Sequence, residues 1–342
     1  VESMRNHFFL MKMPTPSASL NTRILFKELA AYRTALPVEY GSSCFCRVVN
    51  SRLDMLRVMV TGPDDTPYAN GCFLFDINLP SNYPQVAPKV QFLTTGGGKI
   101  RFNPNLYNCG KVCLSLLGTW AGPGWISGQS TLLQVLISIQ SLILVPDPYF
   151  NEPGWEVDRG TPRGATRSKA YNQKIRRYTT SAAIEAHLSS ILNNTNEYVE
   201  FELVMKRHFL EKKSLIQKEL WSWVKDDAAI APCVSTICDL LERLATRERG
   251  TIRSRRNRGN SSVARKATQP NEPIVLDDAD GKPINIRQSK PIYDLEPNET
   301  IEIDLSDNEE EKKEDETNDI AMDTGILPGG AKSYDGLVDL TI

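Results

Sequence analysis

The amino-acid sequence predicts an α+β fold in which four short strands form an antiparallel meander and helices flank the sheet. Three observations support this prediction. Apolar residues recur at helical spacing over 20–36, four strand-like segments follow at hairpin spacing, and an apolar stretch over 130–145 has helical length. No helical pattern separates the four strands, which favours an antiparallel meander over a parallel sheet.

The first helix is predicted over residues 20–36. Ser19 or Asn21 is a candidate N-terminal cap, and Pro37 should end the helix because proline cannot continue it. The apolar positions that share one helical face are Ile24, Leu25, Leu29, Tyr32 and Leu36.

Gly, Pro and Asn residues divide the next part of the chain into four short strands. The predicted strands cover 43–49, 56–62, 72–79 and 89–94. The following segment, 95–129, has few regular signals. A loop of this length inside a compact domain is usually functional.

The second helix is predicted over 130–145, with Ser130 or Thr131 as its cap and Pro146 at its end. It is apolar on nearly every side, so we expect it to lie buried on the sheet. Helical patterns return over about 166–247, with breaks near Asn193 and at Pro232.

These patterns predict a leader over 1–18, a core domain over 19–158, a helical extension over 159–248 and a tail over 249–342. The tail is first basic and then acidic, and it is poor in apolar residues. Such a composition buries too little apolar surface to offset the entropy of ordering the chain, so we expect the tail to be disordered.

Bulk composition excludes several classes of protein. The net charge is −2, which gives no general argument for nucleic-acid binding, and seven cysteines in 342 residues do not make a disulfide framework. We find no signal peptide and no apolar run long enough to cross a membrane. The sequence therefore predicts a reducing compartment, cytoplasm or nucleus, and no membrane or specific nucleic-acid partner.

Cys109 and Cys113 stand out in the stretch “RFNPNLYNCGKVCLSLLGTW” (101–120). A zinc site would need about four ligands, and no second cysteine pair has matching spacing. The spacing is not that of a Cys-x-x-Cys redox pair, whereas packing as a small hydrophobe remains open. A cysteine–histidine dyad is disfavoured because His7, His187 and His208 all lie outside 19–158. If Cys113 is a nucleophile, it suits exchange on an already activated thioester, which needs little activation.

The segments “TGPDDTPYANGCFLFDINLPSNYP” (61–84) and “NPN…GKVCLS” resemble the ubiquitin-conjugating enzyme family, and Asn105 precedes Cys113 by eight positions, as in that family. The resemblance covers about 19–158 and implies the ubiquitin-conjugating (UBC) fold. The stretches 101–120, 132–145 and “DPYFNEPGWEVDRGTP” (147–162) are most similar to the BRUCE/Apollon and large “O”-type hybrids. In those hybrids, conjugating and ligase functions share one polypeptide.

The resemblance implies roles for individual residues. Cys113 would be the thioester nucleophile, and Asn105 would stabilise either the oxyanion or the active-site loop. Asn151 and Glu152 would help to activate the acceptor lysine. Asn103 stands where the family usually has histidine, which puts the rigidity of the loop in question.

The implied partners are ubiquitin, a ubiquitin-activating enzyme and protein substrates with an acceptor lysine, with no cofactor and no metal. Two alternatives stay open: a non-catalytic ubiquitin-binding scaffold, and a conjugating enzyme for another modifier such as SUMO. In the tail, Ile301, Ile303 and Leu305 resemble a SUMO-interacting motif, and the basic run 247–266 suggests a nuclear localisation signal.

Overall fold

The computed structural model describes residues 4, 6–10, 12, 22–49, 52–261, 276–277 and 283–284. The order of the main elements begins with helix α1 and strands β1 to β4, continues with helices α2 to α7, and ends with a short strand pair. Their bounds are α1 Thr22–Ala35, β1 Cys44–Val49, β2 Arg52–Thr61, β3 Cys72–Asn78, β4 Lys89–Phe92, α2 Leu132–Ser138, α3 Pro162–Tyr178, α4 Ala186–Leu192, α5 Glu202–Glu211, α6 Lys213–Asp226, α7 Ala231–Ser261, β5 Leu276–Asp277 and β6 Pro283–Ile284.

The four strands β1 to β4 form one sheet in sequence order, and every neighbouring pair is antiparallel. The predicted meander is therefore confirmed. Strand β2 begins at Arg52, four residues before the predicted start. The sequence pattern did not predict this extension because Arg52 and Asp54 are polar. They form a buried ion pair with Nη2 and Oδ2 2.8 Å apart.

Both faces of the central strands β2 and β3 are covered. Val58 and Phe75 pair across the two strands and lie in a cluster with α1 and α2. Met59 and Leu74, the next pair, point to the other face and pack against the C-terminal helices. Double coverage explains why these strands read as nearly continuous apolar runs without the alternation of a half-exposed sheet.

Helix α1 lies on the sheet through Leu25 and Tyr32, and Leu36, directly after the helix, is buried with them, as predicted. The expectation for Ile24 was wrong, because this residue is 40% exposed. The candidate caps Ser19 and Asn21 lie outside the described residues.

Helix α2 begins at a capping box. The Thr131 hydroxyl accepts from the Gln134 backbone N–H, and the Gln134 side chain accepts from the Thr131 N–H. Glu28 of α1 accepts a 2.8 Å hydrogen bond from the Leu132 N–H, which ties the two helices together.

The helix continues as a wider π-helical turn over Ile139–Ile143. The expectation that it is buried nearly all round was wrong, since Leu142 is 60% exposed and Ile137 is also exposed. Among the described residues, none covers the side of the helix that carries these two side chains.

Helices α3 to α7 span residues 162–261, so they begin before the predicted start at 166, and α7 continues past 247 into the first residues of the predicted tail. Helix α4 ends next to Asn194, whose φ is 55°. Pro232 lies in the first turn of α7, where its missing N–H costs no hydrogen bond. Ile184, Phe201 and Met205 from this region share one apolar cluster with the sheet. The helical extension therefore forms the second wall of the sheet.

The N-terminal segment also packs on the sheet, although the sequence suggested only a leader without pattern. The Phe8 N–H donates to Asp76 of β3 over 2.6 Å, and the His7 Nε2 lies 2.8 Å from the Leu56 carbonyl oxygen. Met4 and Phe9 are buried in a small cluster with Met55.

A buried charge network lies beneath this segment. Arg57 donates to Asp76 through Nε over 2.6 Å and through Nη2 over 2.9 Å. Its Nη1 donates to Glu200 over 2.8 Å. One guanidinium thus joins β2, β3 and the segment before α5.

The antiparallel pairing of β5 with β6 belongs to a second unit of the chain. Most of the tail, including Ile301, Ile303 and Leu305, lies outside the described residues, as do residues 262–266 of the basic run. Among the described helices, none combines the length and apolar character that a membrane span requires.

Candidate active site

Cys113 lies on a short hairpin that follows the Asn-Pro-Asn turn. Its N–H donates to the Asn105 carbonyl over 2.9 Å, and the Tyr107 N–H donates to the Lys111 carbonyl over 3.0 Å. Gly110 closes the hairpin with φ 86°, and a Cβ there would lie 2.6 Å from the Phe92 carbonyl oxygen. Only glycine allows this close approach to β4.

Asn105 is bonded to both the backbone N–H and the backbone carbonyl of Cys113. Besides the backbone bond, its side-chain Nδ2 donates 2.8 Å to the Cys113 carbonyl oxygen. The two residues are eight positions apart in the sequence, and the hairpin brings them into direct contact. Cys113 itself is only 2% exposed.

Asn103 takes over a structural role at the position that the family usually fills with histidine. Its Nδ2 donates to the Ile143 carbonyl over 2.7 Å and to the Tyr68 hydroxyl over 2.9 Å. Its Oδ1 accepts from the Asn105 N–H over 2.9 Å. The buried amide therefore fixes the turn to the end of α2.

Thr119 is a residue that the sequence analysis missed. Its hydroxyl donates to the Val112 carbonyl over 2.8 Å and accepts from the Leu114 N–H over 3.0 Å. These are the two neighbours of Cys113, so one side chain clamps the backbone on both sides of the sulfur. A threonine in a Gly- and Pro-rich loop gave no sequence signal for this contact.

Asn151 and Glu152 both reach the Asn-Pro-Asn turn from the segment after α2. Asn151 donates 3.0 Å to the Leu142 carbonyl and lies 3.5 Å from the Asn103 Oδ1. Glu152 pairs with Arg101 at 3.2 Å, and the same Arg101 Nη2 donates 2.7 Å to the Pro104 carbonyl.

Burial raises the pKa of the Cys113 thiol, and the nearby cations Lys111 and Arg101 oppose this shift. Cys109 adds a smaller contribution that raises the pKa further. The free thiol is therefore mostly protonated at neutral pH, and its reactivity depends on the intrinsic nucleophilicity of sulfur.

None of the three histidines of the chain assists Cys113. His187 lies 3.1 Å from the Cys72 carbonyl oxygen, and His208 lies 3.0 Å from the Asn70 carbonyl oxygen. His7 is bound to Leu56 in the same way. All three imidazoles support the sheet and its loops, in agreement with a nucleophile that works without a histidine base.

Cys109 is exposed on the turn of the hairpin, whereas Cys113 is buried at its base. The Tyr107–Lys111 pair lies between the turn and Cys113, which itself pairs with Asn105. Both thiols are free, and the described residues contain no cluster of His, Cys, Asp and Glu suited to a metal ion.

Trp125 packs at the edge of the site. Its Nε1 donates 2.7 Å to the Pro84 carbonyl, and its ring lies 5.7 Å from the Tyr83 ring. These contacts make Trp125 a packing residue that ties the loop after Cys113 to the Tyr83–Pro84 turn.

Comparison with known proteins agrees with this geometry. The family model for ubiquitin-conjugating enzymes matches residues 27–179. The chain is 46% identical over 213 residues, 61% of its length, to the human dual E2 ubiquitin-conjugating enzyme/E3 ubiquitin-protein ligase BIRC6. It is 45% identical over 213 residues to the probable ubiquitin-conjugating enzyme protein 17 of Caenorhabditis elegans. It is also 39% identical over 216 residues, 62% of the chain, to the putative ubiquitin-conjugating enzyme E2 39 of Arabidopsis thaliana.

The matched part of the chain spans 4% of the human relative, 28% of the nematode relative and 61% of the plant relative. The matched residues include the four strands, the Asn-Pro-Asn turn, the cysteine hairpin and α2. The chain therefore carries a ubiquitin-conjugating enzyme domain of the type found in BIRC6.

Proposed function

We propose that Cys113 receives ubiquitin as a thioester from a ubiquitin-activating enzyme and passes it to the amine of a substrate lysine. The observation that carries this proposal is the pair of hydrogen bonds between Asn105 and Cys113. They fix the backbone of a cysteine that has no histidine partner, which supports the assignment of Cys113 as the nucleophile.

In the first step, the Cys113 sulfur attacks the thioester carbonyl on the activating enzyme. The C–S bond to that enzyme breaks, its thiolate leaves, and the Cys113 proton goes to solvent. Exchange between a thiol and a thioester replaces one C–S bond by another, so it needs little driving force and does not require a strongly activated thiol. A glycine end of ubiquitin, with no Cβ, fits the narrow approach to a cysteine that is 2% exposed.

Asn105 would act at the tetrahedral stage. Its amide carries two hydrogens, of which one is donated to the Cys113 carbonyl. The same group can therefore hold the loop and still offer a hydrogen to the developing oxyanion. Removal of such a donor costs about 3–4 kcal/mol of transition-state stabilisation in well-studied enzymes.

Asn151 and Glu152 are the proposed residues for the second step. The attacking amine must be neutral, while lysine has a reference pKa of about 10.4. Glu152 is held at the Asn-Pro-Asn turn by Arg101 and is only partly exposed, so its carboxylate can bind the ammonium and take its proton. Asn151 keeps this segment against the end of α2.

We also propose that the chain has ligase character of its own. The support is the similarity to BIRC6, whose name states both conjugating and ligase activity. The test is transfer of ubiquitin to a protein lysine by the purified chain without an added ligase. Transfer only after a separate ligase is added would reject this part.

The main experiment incubates the purified chain with activating enzyme, ATP and either ubiquitin or SUMO. We expect an adduct with ubiquitin that a reducing agent releases. An adduct with SUMO alone would reassign the modifier, and non-covalent ubiquitin binding without an adduct would favour the scaffold alternative.

SUMO binding by Ile301, Ile303 and Leu305 stays a separate prediction, as does the nuclear or cytoplasmic location. Titration of a tail peptide with SUMO tests the first. The location is tested with a fluorescently tagged chain, whose nuclear signal should be lost when the basic residues of 247–266 are neutralised.

A further inference from the structure

Arg101 connects three parts of the candidate active site through one guanidinium. Its Nη2 donates to the Pro104 carbonyl over 2.7 Å and to the Glu152 carboxylate over 3.2 Å. The guanidinium also lies over the Tyr107 ring, 4.3 Å from its centre. It thus touches the Asn-Pro-Asn turn, the cysteine hairpin and the segment after α2 at once.

The contact with Glu152 is exchangeable. The side chains of Arg101 and Glu152 are 39% and 32% exposed, and ion pairs with this exposure contribute little to stability. The guanidinium itself is held by the Pro104 carbonyl and by the face of the Tyr107 ring. A weakly held carboxylate therefore lies beside a cation that has two further contacts.

The fold does not depend on this ion pair, because Asn103 supplies a second and buried cross-link between the same two segments. Asn103 joins the turn to Ile143 and to Asn151 through its amide. The link from Asn103 is neutral and buried. The link from Arg101, two residues earlier, is charged and partly exposed to solvent.

We propose that Arg101 is a positioning residue for lysine transfer, which holds the Glu152 carboxylate at the cysteine hairpin until an acceptor ammonium replaces the guanidinium. This inference rests on the proposed function. The incoming Lys Nζ–H₃⁺ takes the place of Arg101 at Glu152 and loses one proton to that carboxylate. The neutral nitrogen then attacks the thioester carbonyl. The C–N bond forms, the C–S bond breaks, the nitrogen gives a second proton to solvent, and the Cys113 thiolate leaves.

The test compares two small nucleophiles in single-turnover discharge of the ubiquitin-loaded full chain. Lysine is a cation at neutral pH, whereas hydroxylamine is uncharged and has no use for the carboxylate. The variants are Arg101→Gln, Glu152→Gln, the double variant and Arg101→Lys. Arg163→Gln is the matched control, because Arg163 also pairs with a carboxylate, with its Nε 3.8 Å from Asp158, and its side chain is exposed.

Arg101→Gln should slow discharge to lysine roughly fivefold, the factor that corresponds to one exposed ion pair. It should raise the half-saturating lysine concentration, and hydroxylamine discharge should slow much less than lysine discharge. Charging should slow slightly, because Arg101 no longer counteracts the raised pKa of the Cys113 thiol. In the Glu152→Gln background, Arg101→Gln should not change the ratio of the two discharge rates further, and Arg101→Lys should restore part of the lysine rate. Arg163→Gln should behave as wild type.

Equal slowing with both nucleophiles would overturn the inference, because it would indicate general damage to the loop. An undiminished effect of Arg101→Gln in the Glu152→Gln background would also overturn it. A wild-type chain that forms no ubiquitin adduct rejects the proposed function and this inference together. A charged Arg101→Gln chain that discharges to lysine at the wild-type rate rejects only the inference.

Discussion

The side-chain amide of Asn105 donates a 2.8 Å hydrogen bond to the carbonyl oxygen of Cys113, whose N–H donates in turn to the Asn105 carbonyl. Two residues eight positions apart are thereby locked into one hairpin pair. This pairing explains how a Gly- and Asn-rich loop holds the cysteine in one orientation.

The first prediction concerns the substitution Asn105→Ala. It removes a donor that is needed while negative charge develops, so discharge to lysine should slow by about two to three orders of magnitude. Charging by the activating enzyme should slow far less. Single-turnover measurement of the two steps checks this, and equal loss of both steps would assign Asn105 to the loop-stabilising role alone.

Thr119 gives a second prediction, because its hydroxyl bonds to both neighbours of Cys113. Thr119→Val keeps the shape of the side chain but leaves the Leu114 N–H and the Val112 carbonyl without this partner. The free energy of unfolding should fall by about 1–2 kcal/mol, and charging should slow severalfold.

Thr119→Ser is the matched control, since it keeps the hydroxyl and loses only the methyl group. Urea unfolding and charging rates of both variants are the measurements. Serine and valine variants with the same charging rate would show that the clamp has no part in presenting the sulfur.

A third prediction follows from buried His187, whose pKa is lowered to about 4 by burial. The unfolded chain keeps a pKa near 6.5 and so binds more protons than the folded chain between these two values. Stability is therefore full above pH 6.5 and decreases as the pH falls towards 4. Between pH 7 and pH 5, this one residue should cost about 2 kcal/mol.

His187→Gln can still donate to the Cys72 carbonyl and does not titrate. Urea unfolding at pH 7 and pH 5 should show that this variant loses less stability on acidification than wild type does. The account of His187 fails if the two chains lose the same amount.

The fourth prediction concerns Arg57, the cation between Asp76 and Glu200. Arg57→Met leaves two buried carboxylates without their shared partner, and breaking a buried ion pair in this way typically costs about 3–5 kcal/mol. The N-terminal segment should also detach, because Asn6 accepts from the same guanidinium.

Urea unfolding and limited proteolysis near residue 8 measure the two effects of Arg57→Met. Arg163→Gln again serves as the control for loss of an exposed pair. If Arg57→Met lowers the free energy of unfolding by less than 1 kcal/mol, the ion pairs of Arg57 do not hold the N-terminal segment on the sheet.

Sequence patterns predicted the meander and α2 because strand-like runs and helical spacing leave strong local signals. The cap at Thr131 was one of two named candidates, and the capping box selects it. The start of β2 was missed because Arg52 and Asp54 look like a polar turn until their mutual ion pair is seen.

Long-range contacts account for the other differences. His7 and Phe8 showed no periodicity, yet they bind Leu56 and Asp76 across more than 40 intervening residues. The outward position of Leu142 depends on what lies beyond α2, which local spacing cannot reveal. Likewise, the resemblance to the ubiquitin-conjugating family linked Asn105 with Cys113, whereas the contacts of Thr119 and Arg101 depend on how the loop returns to the hairpin.

The most direct test of the central claim is to locate the carried ubiquitin. Wild-type chain, Cys113→Ser and Cys113→Ala are incubated with activating enzyme, ATP and ubiquitin, and the adducts are digested for mass spectrometry. We expect a reductant-sensitive link at residue 113 in wild type, a reductant-resistant ester in Cys113→Ser and no adduct in Cys113→Ala. An adduct that persists unchanged in Cys113→Ala, or that maps to another side chain, would contradict the account.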